Sequence, residues 1–188
     1  MLDQFMQLMY EIDPDLSGHG SRVAALAAPL ADYLGLDRDD RRRLSIAAHL
    51  HDVGKIRVEP RVVQKPGPLT APEWVLIRKH PLDGFRIIDG LVHARIADTV
   101  IAHHERFDGS GYPFGLRGNE IPYLARVLLV ADAFDAMTSD RPYQPALSPD
   151  HALTELQRCA GTQFDPRVVD AMLASAPTIY HHTLAIAG

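Results

Sequence analysis

The chain has almost no cysteine and no long apolar run, and both absences narrow the class of protein. Cys159 is the one cysteine among 188 residues, so no disulfide can form within the chain, which is typical of a cytosolic protein. No apolar run reaches the ~20 residues of a membrane-spanning helix, and the first residues lack the basic start of a secretory signal. We therefore expect a cytoplasmic protein that does not contact a membrane.

Positive charge is also scarce. The 24 acidic residues outnumber the 19 lysines and arginines and give a net charge of −5, which argues against binding to polymeric nucleic acid, because such domains are normally basic. The hydrophobic fraction of 46% and the charged fraction of 23% are ordinary for a globular protein. Whole-chain disorder is therefore excluded, and the length suits one compact domain with a sizeable core.

Histidine, in contrast, is abundant. The sequence contains 10 histidines, and imidazole is the commonest metal ligand in proteins. Histidines also occur as ordinary core and surface residues, and composition does not distinguish these uses. Only their positions along the chain can do so.

The apolar pattern is helical along most of the chain. Apolar residues recur at helical spacing between Val23 and Leu34, and later segments begin at caps that contain proline, such as 70–73. The stretches 55–69 and 105–119 are rich in proline or glycine and are predicted to be loops. Strand signals are sparse, and we find no internal repeat or linker. The sequence therefore predicts an all-α protein with one domain.

Two short motifs place candidate metal ligands side by side. His51 and Asp52 precede Lys55 at a predicted helix end, and His103 and His104 stand at the start of the glycine-rich loop. Imidazole suits iron, manganese or zinc, and a carboxylate can bridge two metals. About one His-Asp dipeptide is expected by chance in a chain of this composition. Neither motif is therefore informative alone.

Two further pairs are spaced to share one face of a helix. Asp132 and Asp135 are three residues apart, and Asp15 and His19 are four apart. Side chains at these spacings are neighbours on a helix surface. Each pair would therefore place two side chains that can bind a metal on the same side of its helix.

Taken in order, these motifs resemble those of the HD-GYP family of HD-domain phosphohydrolases. The resemblance rests on the string from His51 to Lys55 and on the string from His103 to Pro113, which contains Gly-Tyr-Pro. The other matching segments are 19–23, 65–74, 80–84, 131–143 and 161–166. This resemblance implies a helical bundle of the HD-domain type with a glycine-rich GYP loop.

The matched segments also imply a layout for the chain. Residues 1–16 would be a lead-in helix, 17–175 the HD-GYP domain and 176–188 a tail. Little length remains for the sensor or receiver domain that usually accompanies this family. The chain is therefore expected to be either a stand-alone enzyme or an excised piece.

The resemblance further implies a site with two divalent metals bridged by Asp52. The implied ligands are His19, His51, Asp52, His80, His103, His104 and Asp132. The family favours iron or manganese, while the donor chemistry alone leaves zinc and nickel open. Asp15 and Asp135 would be the ligands of a third metal, with Asp15 one methylene shorter than the glutamate of other members.

The substrate contacts are implied in the same way. Lys55 would contact the scissile phosphate, and Arg141 would bind a substrate phosphate. Tyr112 and Gln144 would lie on the substrate side, with Gln144 standing where many members have a basic residue. Tyr112 is expected to pack within the loop rather than transfer a proton, and Asp108 is expected to orient a metal-binding histidine.

The resemblance thus predicts a metal-dependent phosphodiesterase that converts cyclic di-GMP to the linear dinucleotide and, after a second cut, to GMP. Attack by a hydroxide that bridges two metals needs no serine or cysteine nucleophile. Two alternatives stay open. One is a weakly active or inactive module that senses cyclic dinucleotides or docks a partner, such as a dinucleotide cyclase or a separate regulatory protein. The other is a phosphohydrolase of another nucleotide.

Overall fold

A computed structural model describes most of the chain and shows helices almost throughout. It describes residues 2–12, 14–140 and 145–186, with side chains within 4–12, 18–140 and 145–177. The helices are α1 Leu2–Ile12, α2 Pro14–Tyr33, α3 Arg38–Leu50, α4 Pro60–Val63, α5 Ala71–Ile77, α6 His80–Ile88, α7 Ala94–Ala102, α8 Tyr123–Thr138, α9 Pro149–Arg158 and α10 Pro166–Ile186. Within these ranges there is no strand beyond one isolated bridge. The predicted all-α class is confirmed.

Three of the predicted site residues lie outside this description. Arg141 and Gln144 fall in the gap between 140 and 145, and only the backbone of Asp15 is described. None of the helices in the described part of the chain is both long and apolar enough to cross a membrane.

Most helix boundaries follow from the predicted local signals. The Asp37 carboxylate accepts a hydrogen bond from the backbone N–H of Asp40 at 2.8 Å and caps α3. The Thr70 N–H donates to the Glu73 carboxylate at 2.7 Å where α5 begins. Gly35, with φ +66°, adopts the left-handed conformation that ends α2. These contacts join residues within one turn of each other, so they can be recognised in the sequence.

The prediction of a loop over residues 55–69 is wrong in part. A 3-10 turn, Val53–Arg57, and the short helix α4 occupy its first half. Val58 and Val62 are buried there, and Pro60 stands in the first turn of α4, where proline is tolerated. Burial of the two valines thus favours helical turns that the proline and glycine content did not suggest.

Helix α8 lies at the centre of the bundle. Every residue from Leu124 to Ala131 is buried, and the helix packs against α2, α3, α7, α9 and α10. A helix that is apolar on all sides is stable only inside a core. Asp132 and Asp135 directly follow this run on α8, and Asp135 is itself buried, so the core fixes their positions.

The 3-10 turn and α6 are in backbone contact at Gly54. A Cβ at Gly54 would lie 1.9 Å from the His80 carbonyl oxygen and 2.5 Å from the Gly84 nitrogen. Only glycine allows so close an approach. The contact places the turn that carries Asp52 and Lys55 directly against the helix that begins at His80.

Replacing Gly54 with alanine should therefore destabilise the protein. The added methyl group must push the turn away from α6, and such overpacking costs about 3 kcal/mol. For a domain of this size we expect the melting temperature to fall by about 10 °C. Gly18→Ala is the matched control, because Gly18 is exposed on α2 with nothing closer than 3.4 Å to its Cβ position. An unchanged melting temperature in Gly54→Ala would contradict the packing described here.

Candidate metal centre

Three buried histidines at helix ends are oriented by the same backbone contact. His51 follows α3, His80 begins α6 and His103 follows α7. Each Nδ1 lies within hydrogen-bond distance of the carbonyl three residues earlier, which belongs to Ala48 at 2.7 Å, Ile77 at 2.6 Å and Val100 at 2.6 Å. A carbonyl only accepts, so each Nδ1 carries a proton and Nε2 is the atom left to bind a ligand. Metal-binding histidines are commonly held in this way.

These Nε2 atoms converge on the buried carboxylate of Asp52. One Asp52 oxygen, Oδ2, lies 3.4 Å from His51 Nε2, and the other, Oδ1, lies 3.2 Å from His80 Nε2. His80 Nε2 also lies 3.2 Å from His103 Nε2. The two oxygens of Asp52 therefore face two different groups of histidines, which is the arrangement that a bridging carboxylate requires.

The fourth histidine of the cluster is held by carboxylates instead of a carbonyl. His19 Nε2 lies 3.0 Å from an Asp132 oxygen, and His19 Nδ1 lies 2.7 Å from an Asp135 oxygen. Burial disfavours the charged form of His19, but hydrogen bonds to these two carboxylates outweigh it and raise its pKa to about 10. Asp135 also accepts from Arg22 Nε at 2.8 Å. Its carboxylate thus orients His19, and its role as a ligand of a third metal stays a prediction.

Burial and neighbouring charges shift the pKa values of several groups in the cluster. Burial lowers the pKa of His80 and of His104 to about 3 and holds the pKa of His103 well below its ordinary value. Burial alone would raise the pKa of Asp52 and of Asp132, but neighbouring cationic and hydrogen-bonding groups outweigh it and hold both well below the usual range. The imidazoles of His80, His103 and His104 are therefore neutral and lie beside ionised carboxylates, whereas His19 is held in its charged form.

This donor set fits divalent transition metals. His19, His51 and Asp52 form one group whose ligand atoms lie within 4.8 Å of one another, and His80, His103 and His104 form a second. The buried Nε2 of His51 has no hydrogen-bond partner among the residues that the structure describes. A buried lone pair beside a carboxylate is costly without a cation between them. Nitrogen and carboxylate donors suit iron, manganese, zinc and nickel.

Lys55 lies at the edge of this cluster. Its Nζ donates to Asp52 Oδ2 at 2.6 Å, and its side chain keeps 22% of its surface exposed. The 3-10 turn places it one turn after Asp52, so it brings a positive charge to the open side of the centre. Its predicted contact with a phosphate is compatible with this position and stays a prediction.

Glu105 anchors the glycine-rich loop, a role that its sequence context does not reveal. Its buried carboxylate accepts from the backbone N–H of Phe114 at 2.7 Å and of Leu116 at 3.0 Å. A Cβ at Gly111 would lie 2.3 Å from the Arg106 nitrogen, so the loop folds tightly onto the end of α7. The only signal in the sequence was an acidic residue directly after two histidines, which does not show where the carboxylate points.

Two expectations about the loop have different outcomes. Tyr112 stacks on His104 with 4.9 Å between ring centroids, and burial raises its pKa, so the phenol stays neutral and packs. Asp108 instead accepts from the Ser110 N–H at 2.9 Å and from Arg106 at 3.5 Å. The prediction that Asp108 orients a metal-binding histidine is wrong, because backbone carbonyls and Asp135 do so.

The histidines without a predicted metal role lie elsewhere. His49 bonds the Ser45 carbonyl oxygen on α3, His93 accepts from the Arg95 N–H at the start of α7, and His151 is exposed. The side chains at 181 and 182 lie outside the described part. The structure thus separates His49, His93 and His151 from the cluster.

Changing Glu105 to glutamine should loosen the loop. An amide has one acceptor oxygen and turns its NH2 group toward the second N–H, so one buried donor is left unpaired at a cost of about 1–3 kcal/mol. We expect faster hydrogen exchange at the amides of Phe114 and Leu116. Glu120→Gln is the control, because Glu120 accepts one exposed N–H, from Arg117. Equal exchange in Glu105→Gln and wild type would contradict the anchoring role.

Comparison with known proteins places this geometry in a family. A family model described as HD domain matches residues 3–168. The chain is 43% identical over 164 residues to the cyclic di-GMP phosphodiesterase response regulator RpfG of Xanthomonas campestris pv. campestris, with 86% of this chain and 43% of that protein covered. It is 37% identical over 160 residues to the 3'3'-cGAMP-specific phosphodiesterase 3 of Vibrio cholerae, covering 85% of this chain and 35% of that protein.

A solved structure shows the same fold. Bd1817, a HDG"Y"P protein from Bdellovibrio bacteriovorus, matches with a TM-score of 0.70 and 22% identity over 84% of this chain and 51% of that chain. The chain spans less than half the length of the two curated relatives, at 43% and 35%. The chain belongs to the HD domain family, and the resemblance of its motifs to the HD-GYP type is confirmed.

Proposed function

We propose that this chain is a metal-dependent phosphodiesterase that hydrolyses cyclic di-GMP to the linear dinucleotide and then to GMP. The observation that carries the proposal is the convergence of imidazole Nε2 atoms on both oxygens of Asp52. Relatives named as cyclic dinucleotide phosphodiesterases support it. Because the chain matches only part of those proteins, their activity is proposed here for this segment.

We propose two divalent ions, iron or manganese, as the cofactors. Asp52 would bridge them, with His19, His51 and Asp132 on one side and the other three histidines on the other. A pair of divalent ions in such a site supplies Lewis-acid charge for an in-line phosphoryl displacement and an activated water at neutral pH. Asp15 and Asp135 remain the candidates for a third ion.

The chain's own residues would bind and orient the substrate. Lys55 Nζ, on the open side of Asp52, would donate to an oxygen of the scissile phosphate, where a charge-assisted bond is strong. Arg141 and Gln144 are proposed as further substrate contacts, although they lie outside the described residues. Tyr112 would hold the substrate side of the centre by packing on His104.

We keep the predicted layout as part of the proposal, with 1–16 as lead-in, 17–175 as the catalytic unit and 176–188 as a tail. Helix α1 lies within the lead-in, and α10 continues through Ile186. The cytoplasmic location and docking to a dinucleotide cyclase or a regulatory protein stay predictions.

A second candidate function is hydrolysis of a mixed cyclic dinucleotide. The observation that favours it is the 37% identity to a relative named as 3'3'-cGAMP-specific. A substrate panel of cyclic di-GMP, cyclic di-AMP and 3'3'-cGAMP distinguishes the two functions. Saturable binding of these compounds without turnover under any metal would instead favour the sensing module.

The first test of the proposal removes single ligands. Asp52→Asn and His51→Ala should lower both bound metal and hydrolysis of cyclic di-GMP by at least ~100-fold. Mutating a residue that only hydrogen-bonds to a metal ligand already lowers metal affinity or activity ~10–100-fold. His49→Ala is the matched control, because half-buried His49 is two residues away on α3 and contacts the Ser45 carbonyl oxygen instead of the cluster. Full hydrolysis by Asp52→Asn, with circular dichroism showing an intact fold, would rule out the proposed mechanism.

The second test removes the metals. Chelation under reducing, anaerobic conditions should abolish hydrolysis, and Mn²⁺ or Fe²⁺ should restore it. Mg²⁺ should restore far less, because it prefers oxygen ligands and this centre is rich in imidazole. Undiminished activity in chelator, or equal restoration by Mg²⁺, would contradict the proposed cofactors.

A further inference from the structure

Four side chains form one continuous stack that leads from the metal centre to the protein surface. Tyr112 lies on His104 with an interplanar angle of 30°. The guanidinium carbon of Arg78 lies 5.2 Å from the centroid of the Tyr112 ring and 5.7 Å from that of Trp74. The stack therefore runs from His104 through Tyr112 and Arg78 to Trp74.

The stack has a fixed position relative to the metal centre. Trp74 lies on α5 and Arg78 is its C-terminal cap, four residues later, so both are on one face of the helix. The same helix supplies the Ile77 carbonyl that orients His80. A movement of α5 would therefore displace His80 as well as the two stacked side chains.

Arg78 and Trp74 stay largely in solvent although they contact each other. Arg78 is exposed, and among the residues that the structure describes no carboxylate forms an ion pair with it, so its positive charge is uncompensated. Trp74 keeps 48% of its surface exposed, although tryptophan is among the costliest side chains to leave in water. An indole face beside an unpaired guanidinium suits a flat aromatic base joined to a phosphate.

We propose that Trp74 and Arg78 form the subsite for the nucleotide that is not being cleaved. A cyclic dinucleotide carries two bases and two phosphates, and the metal centre engages one phosphate. Arg78 binds the other phosphate, and one base stacks on the exposed face of Trp74. This inference rests on the proposed function, because it assigns a second contact region to the same substrate.

Steady-state kinetics on the metal-loaded full chain tests the subsite. Trp74→Ala and Arg78→Ala should each raise the KM for cyclic di-GMP about 10-fold, as expected for loss of one stacked base or one phosphate contact, while kcat changes less than about 2-fold. Trp74→Phe should keep most of the affinity. Val75→Ala is the matched control, since Val75 is 61% exposed on the same helix and lies outside the stack.

Trp74 also provides a direct signal of binding. It is the only tryptophan of the chain, so all tryptophan fluorescence reports on this position. A phosphorothioate analogue of cyclic di-GMP that resists hydrolysis should quench it saturably, and Arg78→Ala should weaken that binding about 10-fold. Guanosine alone should quench only at much higher concentration, because it lacks the phosphate.

The two readouts separate failure of the subsite from failure of the proposed function. If the wild type hydrolyses cyclic di-GMP but Trp74→Ala and Arg78→Ala keep its KM within 2-fold, the subsite is wrong and the function stands. If the wild type hydrolyses nothing, the function is wrong, and saturable quenching that depends on Arg78 still supports the subsite. Absence of quenching overturns the subsite, and the exposed face of α5 would then be better explained as a surface that docks a protein.

Discussion

The carboxylate of Asp52 lies between two groups of histidines, and the rest of the structure is arranged to hold it there. Its oxygens lie 3.4 Å from His51 Nε2 and 3.2 Å from His80 Nε2, and Asp52 is 2% exposed. Burying an ionised carboxylate is costly unless cations or donors compensate it. Lys55 supplies one such partner at 2.6 Å. The Nε2 lone pairs of neutral imidazoles cannot compensate this negative charge. Divalent cations bound between the lone pairs and the carboxylate would do so.

Helix ends bring His51, His80 and His103 together, whereas His19 projects from within α2. The last turn of a helix has carbonyl groups without partners in the helix, and His51 and His103 use such carbonyls to fix their rings. The buried helix α8 then sets the position of Asp132 and Asp135 against His19. Close contact at Gly54 brings the turn carrying Asp52 against His80. Packing of the whole bundle thus determines the distances within the centre.

The sequence was sufficient for the fold class and most helix ends, because caps and helical spacing are local signals. The set of metal ligands came from the resemblance to the HD-GYP family, because the short histidine motifs are not informative alone. The sequence was insufficient where long-range packing decides. Asp108 was expected to orient a histidine, but it bonds its own loop, whereas Asp135, 116 residues from His19, does so. The anchoring by Glu105 depends on how the loop folds back. The contact of Arg78 with Tyr112 joins two distant segments, which no local pattern reveals.

The most direct test of the account is a crystal structure of the manganese-loaded chain with anomalous scattering measured at the manganese edge. We expect two anomalous peaks, one on each side of Asp52. His51, His80 and His103 should bind through Nε2, with their Nδ1 atoms still donating to the carbonyls of Ala48, Ile77 and Val100. Peaks bound through Nδ1, a single peak that Asp52 does not contact, or no peak in this cluster would contradict it.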